Sequence, residues 1–549
     1  MLLASLYLFG WKIGSYSLND PWEPKYPQTV REMMERGDYI TPYYQDEIRW
    51  TKPILIYWAM IPPVLIFGNN EFSARLPSVL AALFGVWAVY YCLLNLRGRR
   101  AAIIGGFILA TIPEYFFMAR QAMPDMLMTA FLSSGMCFFA LGRFQEKHRK
   151  KHFYLFYASL AMAVLAKGPV AGAIATFSIL IFWSVEIDSC SFFNRNILNE
   201  FGKTLKFYQV VPGIIIFLLI AGPWYIAIYS KHHTGFVENF VMDQNIRRFT
   251  GTMHGGLGGN ADHYIETVFH GMFPWNSFIP AAMFFLCLGH MKKDNEVREN
   301  WFYLSWIMST FLIFTLAKTK LDHYILPLAV PLAMIVAVLF DEYLKNEPPL
   351  FMRSVFIVSI PFAILPFNDF LTRSNKYIMD AFTNKHVITN MNIAIGLKCI
   401  LGAWIIAILS AIIIKNSKVA ATGLILLVAY CSAIYFSHYV LPGQEHVRSV
   451  RQYVEYCRKH GGPDALLLFY GNFRSSVVYY SGGSQGYQYF NRRTRSRMAS
   501  FVKGKKAYII IEKKKISSVI KFLRIKTNCD WVCVGRSNPK YRLFTNHKP

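Results

Sequence analysis

The chain has 549 residues, 54% hydrophobic and 16% charged, with a mean hydropathy of +0.28 and a formal net charge of +26. That balance argues against a soluble enzyme and for a polytopic membrane protein.

The apolar stretch at the N-terminus has neither a basic n-region nor an A-x-A-like cleavage site, so it reads as a first span and not as a secretory signal. A transmembrane helix needs ~20 mostly apolar residues. Thirteen segments qualify, near 1–17, 73–95, 101–120, 124–142, 153–166, 169–185, 208–228, 276–291, 302–318, 323–341, 354–370, 391–414 and 419–440. The fifth and sixth flank Lys167-Gly168-Pro169 and suit a re-entrant pair. Short loops rich in Lys and Arg, such as 97–100, 143–152, 291–299 and 415–418, set the orientation. They put the N-terminus in the cytoplasm. The segments 19–53 and 231–274 and the tail then lie outside.

The first outer loop, Asn19–Pro53, is long and dense in acids, bases and aromatics, as functional loops between spans often are. Asp20, Glu23 and Lys25 precede an amphipathic helix over 26–36, whose apolar side (Val30, Met33, Met34) suits a membrane surface. Gly37-Asp38 closes it. Trp50-Thr51-Lys52-Pro53 leads into a 15-residue apolar run, short for a span and fit for a second surface helix. Asp20 and Glu23 read either as helix-capping acids or as catalytic carboxylates. Lys52 reads as a headgroup anchor or as a ligand for an anion.

Further along, Asp125 sits at the mouth of the fourth span. It is an N-cap or a catalytic acid, with Arg120 as a candidate partner. Lys167 in LAKGPVAG belongs to a turn or meets an anionic lipid group. The loop 232–264 holds Glu238, Arg247, Arg248, His254 and His263. Arg247-Arg248 suits a bidentate phosphate clamp. His254, His263 and Glu238 are candidate ligands for a divalent metal, although no H-x-x-x-H or H-E-x-x-H spacing is present. The Gly-rich run GTMHGGLGGN matches no phosphate-loop pattern and reads as a flap. In AKTKLDHYILP, Lys318 and Lys320 stand on the outer side against the charge rule, which points to an anionic ligand.

The tail, 441–549, alternates strand-like runs (465–471, 507–512, 531–535, 541–545) with helical ones (445–460, 515–526), as a small α/β domain does. It carries 22 Lys and Arg against 5 Asp and Glu, +17 of the chain's +26. That surface faces anionic headgroups or attracts a phosphorylated acceptor. Cys457, Cys529 and Cys533 leave a disulfide open; the other six cysteines lie in or beside apolar spans.

In this order the motifs resemble the GT-C-fold lipid-phosphate-sugar glycosyltransferases, in the branch of the lipid A aminoarabinose transferases and protein O-mannosyltransferases. The resemblance covers about 1–340 at motif level and rests on topology beyond. Its D-E-x-R-Y loop signature falls on Trp22, Glu23, Pro24, Lys25 and Tyr26, so the first acid is replaced by Trp. Its F-E-K-P falls on Trp50-Thr51-Lys52-Pro53, so an acid tied to a metal site is replaced by Thr. The second-loop acid matches Asp125, KGP matches Lys167, and K-L-x-x-Y-x-L-P matches Lys320, Leu321, Tyr324, Leu326 and Pro327.

The resemblance implies a membrane domain over 1–440 and an extracytoplasmic α/β domain over 441–549, in a bacterial inner membrane. It implies a polyprenyl-phosphate sugar donor and an anionic glycolipid or glycan acceptor; nucleic acid does not suit the outer side of a membrane, and the chain is expected to be a monomer. Catalysis falls to Glu23 or Asp20 with Asp125, and phosphate binding to Lys25, Lys52, Arg247, Arg248, Lys320, Tyr324 and Lys167. The competing classes are a protein O-mannosyltransferase and a flippase for lipid-linked sugars; the acids of the first loop speak against the flippase.

Overall fold

The computed structural model describes residues 1–186, 197–251, 261–288, 295–345, 356–365, 391–413, 417–442, 449–462, 465–483, 486–535, 538 and 540–547. His254 and Cys190 lie outside these. The chain divides into two units that are discontinuous in sequence. The first holds Met1–Trp11, Trp50–Ile56 and Leu76–Val440; the second holds Lys12–Arg49, Tyr57–Arg75 and Leu441–Pro549.

The first unit is helical. Helices α1 (Leu2–Gly10), α5 (Arg99–Thr111), α6 (Pro113–Ala119), α7 (Pro124–Phe144), α8 (Arg149–Lys167) and α9 (Val170–Glu186) build its N-terminal half. Helix α4 (Glu71–Leu96) begins in the second unit and ends in the first. Five described helices are long and apolar enough to cross a membrane: Glu71–Leu96, Pro124–Phe144, Val210–Thr250, Asp322–Leu344 and Lys418–Val440. The bent pair α5–α6, broken by 69°, adds a sixth. Helix α9 and the segment Trp275–Cys287 are apolar but shorter.

Local chemistry explains the packing. Helix α7 buries nearly its whole surface, against α8 above all and also against α6, α9 and the segment Asp322–Leu328. A Cβ at Gly142 would lie 2.9 Å from the Phe153 ring, so the small residue admits the aromatic of α8. Helix α1 stops at Gly10, well short of the span expected over 1–17, and Lys12 follows with φ 54°. Arg120 is 1% exposed and donates to the carbonyls of Leu8, Phe9 and Trp11, at 2.8, 3.3 and 2.8 Å. It therefore satisfies open carbonyls at the end of α1.

The second unit joins Lys12–Arg49 and Tyr57–Arg75 to the tail. The expected loop helix forms as α2 (Lys25–Arg36), ended by Gly37 at φ 65°. Its buried face includes Tyr26, Thr29, Val30 and Met33 and packs on protein: on a hairpin of β1 (Tyr43–Tyr44) and β2 (Glu47–Ile48), and on the tail helix Ser475–Ser481. A membrane-surface role for that face is thereby replaced. Helix α3 (Leu55–Phe67) begins in the first unit, continues here, and exposes Leu65, Ile66 and Phe67.

The tail sheet has the order β4-β3-β5-β7-β6, with β3 (Leu466–Tyr470), β4 (Gln488–Phe490), β5 (Ala507–Glu512), β6 (Val532–Val534) and β7 (Tyr541–Thr545). Strand β3 runs parallel to β4 and β5; β7 runs antiparallel to β5 and β6. Side chains alternate between two cores. Leu467, Phe469, Tyr508 and Ile510 meet Tyr453, Val454, Val477 and Val478. Leu468, Tyr470, Ile509 and Ile511 meet Met498, Val519 and Leu523. Cys457, Cys529 and Cys533 are free thiols.

Candidate functional site

In the first unit, Pro124 opens α7 and Asp125 sits in its first turn, yet the helix has no side-chain N-cap bond. The Asp125 carboxylate instead accepts a hydrogen bond from Lys167 Nζ at 2.6 Å. Lys167 is the last residue of α8. The turn after it needs Gly168, whose φ is 97°. Both charged groups are almost fully buried.

A short turn, Asp322–Leu328, packs against α7 and brings two more groups. His323 Nε2 lies 3.8 Å from Asp125 Oδ1. The Tyr324 ring stands 4.3 Å from Lys167 Nζ and 5.7 Å from the Arg248 guanidinium. Arg248 donates to Gln244 at 3.1 Å, while its buried Nε finds no partner among the described residues. Lys52, half-buried, lies within electrostatic reach of Asp125 and His323. Lys167 and Lys52 thus face this one carboxylate, with Arg248 beside Tyr324, more positive charge than it neutralises. An additional anion fits that balance.

Other expected residues have different occupations. Arg247 pairs with Asp243 and its side chain is 67% exposed. Lys320 is 3% exposed and donates to the carbonyls of Thr315 and Ala317, both at 2.6 Å. It therefore caps the helix Asn295–Leu316. Among the described residues no three His, Cys, Asp or Glu side chains gather as metal ligands would. His263 faces Asp322 at 3.3 Å and Glu238 is exposed. The fit to a divalent metal is poor at these residues.

In the second unit, Glu23 is fully buried. Its two oxygens accept from Arg75 Nε and Nη2, each at 2.9 Å, and from the Asn19 backbone at 2.7 Å. Asp20 accepts from the backbone N–H of Ser476 at 2.8 Å and from its hydroxyl. Burial raises the Asp20 carboxyl to about 6, against the lowering effect of Ser476 and Arg474. Lys25 stands 5.0 Å over the Trp22 ring. Burial and then Arg49 pull it down to about 8, with Asp20 opposing.

Two groups escaped sequence reasoning. His323 follows the conspicuous Lys320 by three residues and was overshadowed by it. Glu114 looks like an ordinary first-turn acid behind Pro113.

Residues 51–195 match the family model described as dolichyl-phosphate-mannose-protein mannosyltransferase. An undecaprenyl phosphate-alpha-4-amino-4-deoxy-L-arabinose arabinosyl transferase of Proteus mirabilis is 28% identical over 340 residues, 60% of this chain and 56% of that one. The chain thus spans little more than half the length of that named relative. The crystal structure of ArnT from Cupriavidus metallidurans bound to undecaprenyl phosphate superposes with a TM-score of 0.75 at 16% identity, over 100% of this chain and 97% of that one. The oligosaccharyltransferase of Archaeoglobus fulgidus gives 0.51 at 11% identity, over 98% and 73%. The chain therefore has the GT-C fold, and the relatives that share its sequence and carry a functional name are glycosyltransferases.

Proposed function

We propose that the chain moves a sugar from a polyprenyl-phosphate donor to an acceptor on the outer side of a bacterial inner membrane, with lipid A or another envelope glycan as the acceptor. The observation that carries this reading is the buried Asp125–Lys167 pair, with His323, Tyr324, Arg248 and Lys52 around it. The likeness to a structure bound to undecaprenyl phosphate supports the donor class.

In this mechanism Arg248, Lys52 and Tyr324 hold the donor phosphate. They stabilise the charge that builds as the bond from the anomeric carbon to the phosphate oxygen breaks. Asp125 accepts the proton of the acceptor nucleophile as its oxygen bonds to the anomeric carbon from the opposite face. The configuration inverts, and polyprenyl phosphate leaves. Lys167 and His323 hold the Asp125 carboxylate ionised and aimed. Glu23 and Asp20 take holding roles in this scheme, because Arg75 and Ser476 occupy their oxygens.

The chain acts as a monomer, with its N-terminus cytoplasmic and the basic tail outside. A protein O-mannosyltransferase is the second reading, favoured by the family model over 51–195. Turnover of a labelled polyprenyl-phosphate sugar by the purified chain tests the class and separates it from a flippase. Mass spectrometry of lipid A and of secreted proteins from a deletion strain separates the two acceptors. Unchanged lipid A together with unglycosylated proteins would overturn the first reading in favour of the second.

A further inference from the structure

Glu114 is 7% exposed, and among the described residues its Oε1 has no hydrogen-bond partner. A carboxylate so placed is costly unless something pairs with it. It does not cap its own helix: α6 has no side-chain cap bond, and its N-cap is Ile112. The space beside it is kept open by Gly271, where an added Cβ would lie 2.9 Å from Glu114 Oε2. Helix α6 packs on the Asp322–Leu328 turn, the element that brings His323 to Asp125. Asp322 and Asp125 lie within electrostatic reach of Glu114.

The first unit thus has two electrostatic ends. Lys167, Lys52 and Arg248 make one; Glu114 and Asp322 make the other, with the Asp322 turn running between them. A phosphate suits the basic end. Among the described residues the acidic end offers no partner to Glu114 Oε1, and a hydroxyl or ammonium group would supply one.

We propose that Glu114 is a specificity-determining residue: its free oxygen receives a hydroxyl or ammonium group of the donor's sugar while the phosphate lies at the basic end. This rests on the donor reading above. It extends that reading to a residue of α6 outside the carboxylate–lysine pair, and it makes Gly271 the residue that leaves Glu114 room.

The test measures binding to the full chain in lipid nanodiscs of three probes: undecaprenyl phosphate, its aminoarabinose derivative and its mannose derivative. A hydrogen bond to a charged group is worth roughly ten- to a hundredfold in affinity. Glu114→Ala is expected to weaken a sugar-bearing probe by about tenfold or more while the sugar-free lipid stays within about twofold. Glu114→Gln sorts the partner: an ammonium loses about as much as with Ala, whereas a hydroxyl keeps most of its affinity. Gly271→Ala, which displaces the carboxylate without removing it, is expected to shift the same ratio in the same direction. Unchanged ratios in the Ala variants, or equal weakening of lipid and lipid-linked sugar, would overturn the role of Glu114. A wild-type chain that does not bind undecaprenyl phosphate overturns the donor reading instead.

Discussion

Lys167 Nζ stands 2.6 Å from Asp125 Oδ1, with the two side chains 5% and 2% exposed, although 42 residues separate them in sequence. Removing one partner of such a buried pair costs about 3–5 kcal/mol, because the other charge is left without compensation. Lys167→Met is therefore expected to lower the thermal midpoint of the detergent-solubilised chain sharply. Asp125→Asn keeps a hydrogen-bond acceptor for Lys167 and loses less stability. Its transfer rate is expected to fall about a hundredfold or more, the scale of a lost general base. Transfer within threefold of wild type in a folded Asp125→Asn chain would remove Asp125 from the base role.

The Glu23–Arg75 pair separates holding from catalysis. Arg75 donates to Glu23 and to the carbonyls of Ile13, Tyr16 and Ser17, at 2.6, 2.9 and 2.8 Å. Arg75→Ala strands all of these acceptors, and a loss of about 3–5 kcal/mol is expected. Glu23→Gln is expected to lower stability while turnover per folded molecule stays within about threefold, since a holding residue acts on the folded fraction. A loss near a hundredfold per folded molecule would restore Glu23 to catalysis.

The parts legible from sequence are those with strong local signals. Helix α2, its Gly37 stop and strands β3, β5 and β7 follow from periodicity and turn chemistry. Strand β4 is not legible in the sequence, because three residues among glycines carry no alternation. The charged positions were visible; their partners were not. Lys320 stood out as a cation against the charge rule, and it is spent on carbonyls three and five residues away. Arg120 sits five residues from Asp125 in sequence, and its bonds to the end of α1 span more than a hundred residues of chain. Pairings across distant segments, such as Asp125 with Lys167 or Asp20 with Ser476, depend on tertiary packing that no local pattern encodes.

The Asp20–Ser476 contact has a pH signature. Burial raises the Asp20 carboxyl from the ordinary 3.8 to about 6. The folded chain then binds the proton more tightly than the unfolded one. The associated stability is fully present below about 3.8 and is lost as pH rises through about 6. Asp20→Asn keeps an acceptor for the Ser476 N–H and cannot ionise. Its thermal midpoint is expected to match wild type near pH 4 and to exceed it above about pH 7. Asp20→Ala loses both bonds at every pH. Parallel wild-type and Asn curves between these limits would show that Asp20 does not titrate in this window.

Arg247 and Arg248 are neighbours with opposite expectations. The Arg247 side chain is exposed and its charge is met by Asp243 one helical turn away, so its removal should take little from the proposed phosphate site. Arg248 keeps a buried Nε that no described residue partners, and stands 5.7 Å from the Tyr324 ring. A guanidinium so placed gains most from an oxyanion, because the new bond is charge-assisted and shielded from water. Arg248→Ala is expected to raise the Kd for undecaprenyl phosphate by about ten- to a hundredfold, and Arg247→Ala by less than about threefold. Arg248→Lys retains charge and loses the planar fork, so it should fall between wild type and Ala. Titrating the lipid into all three variants in nanodiscs gives the comparison. Equal losses for Arg247→Ala and Arg248→Ala would mean that net charge alone attracts the lipid; a selective loss at Arg248 ties the phosphate to the Tyr324 side of the site.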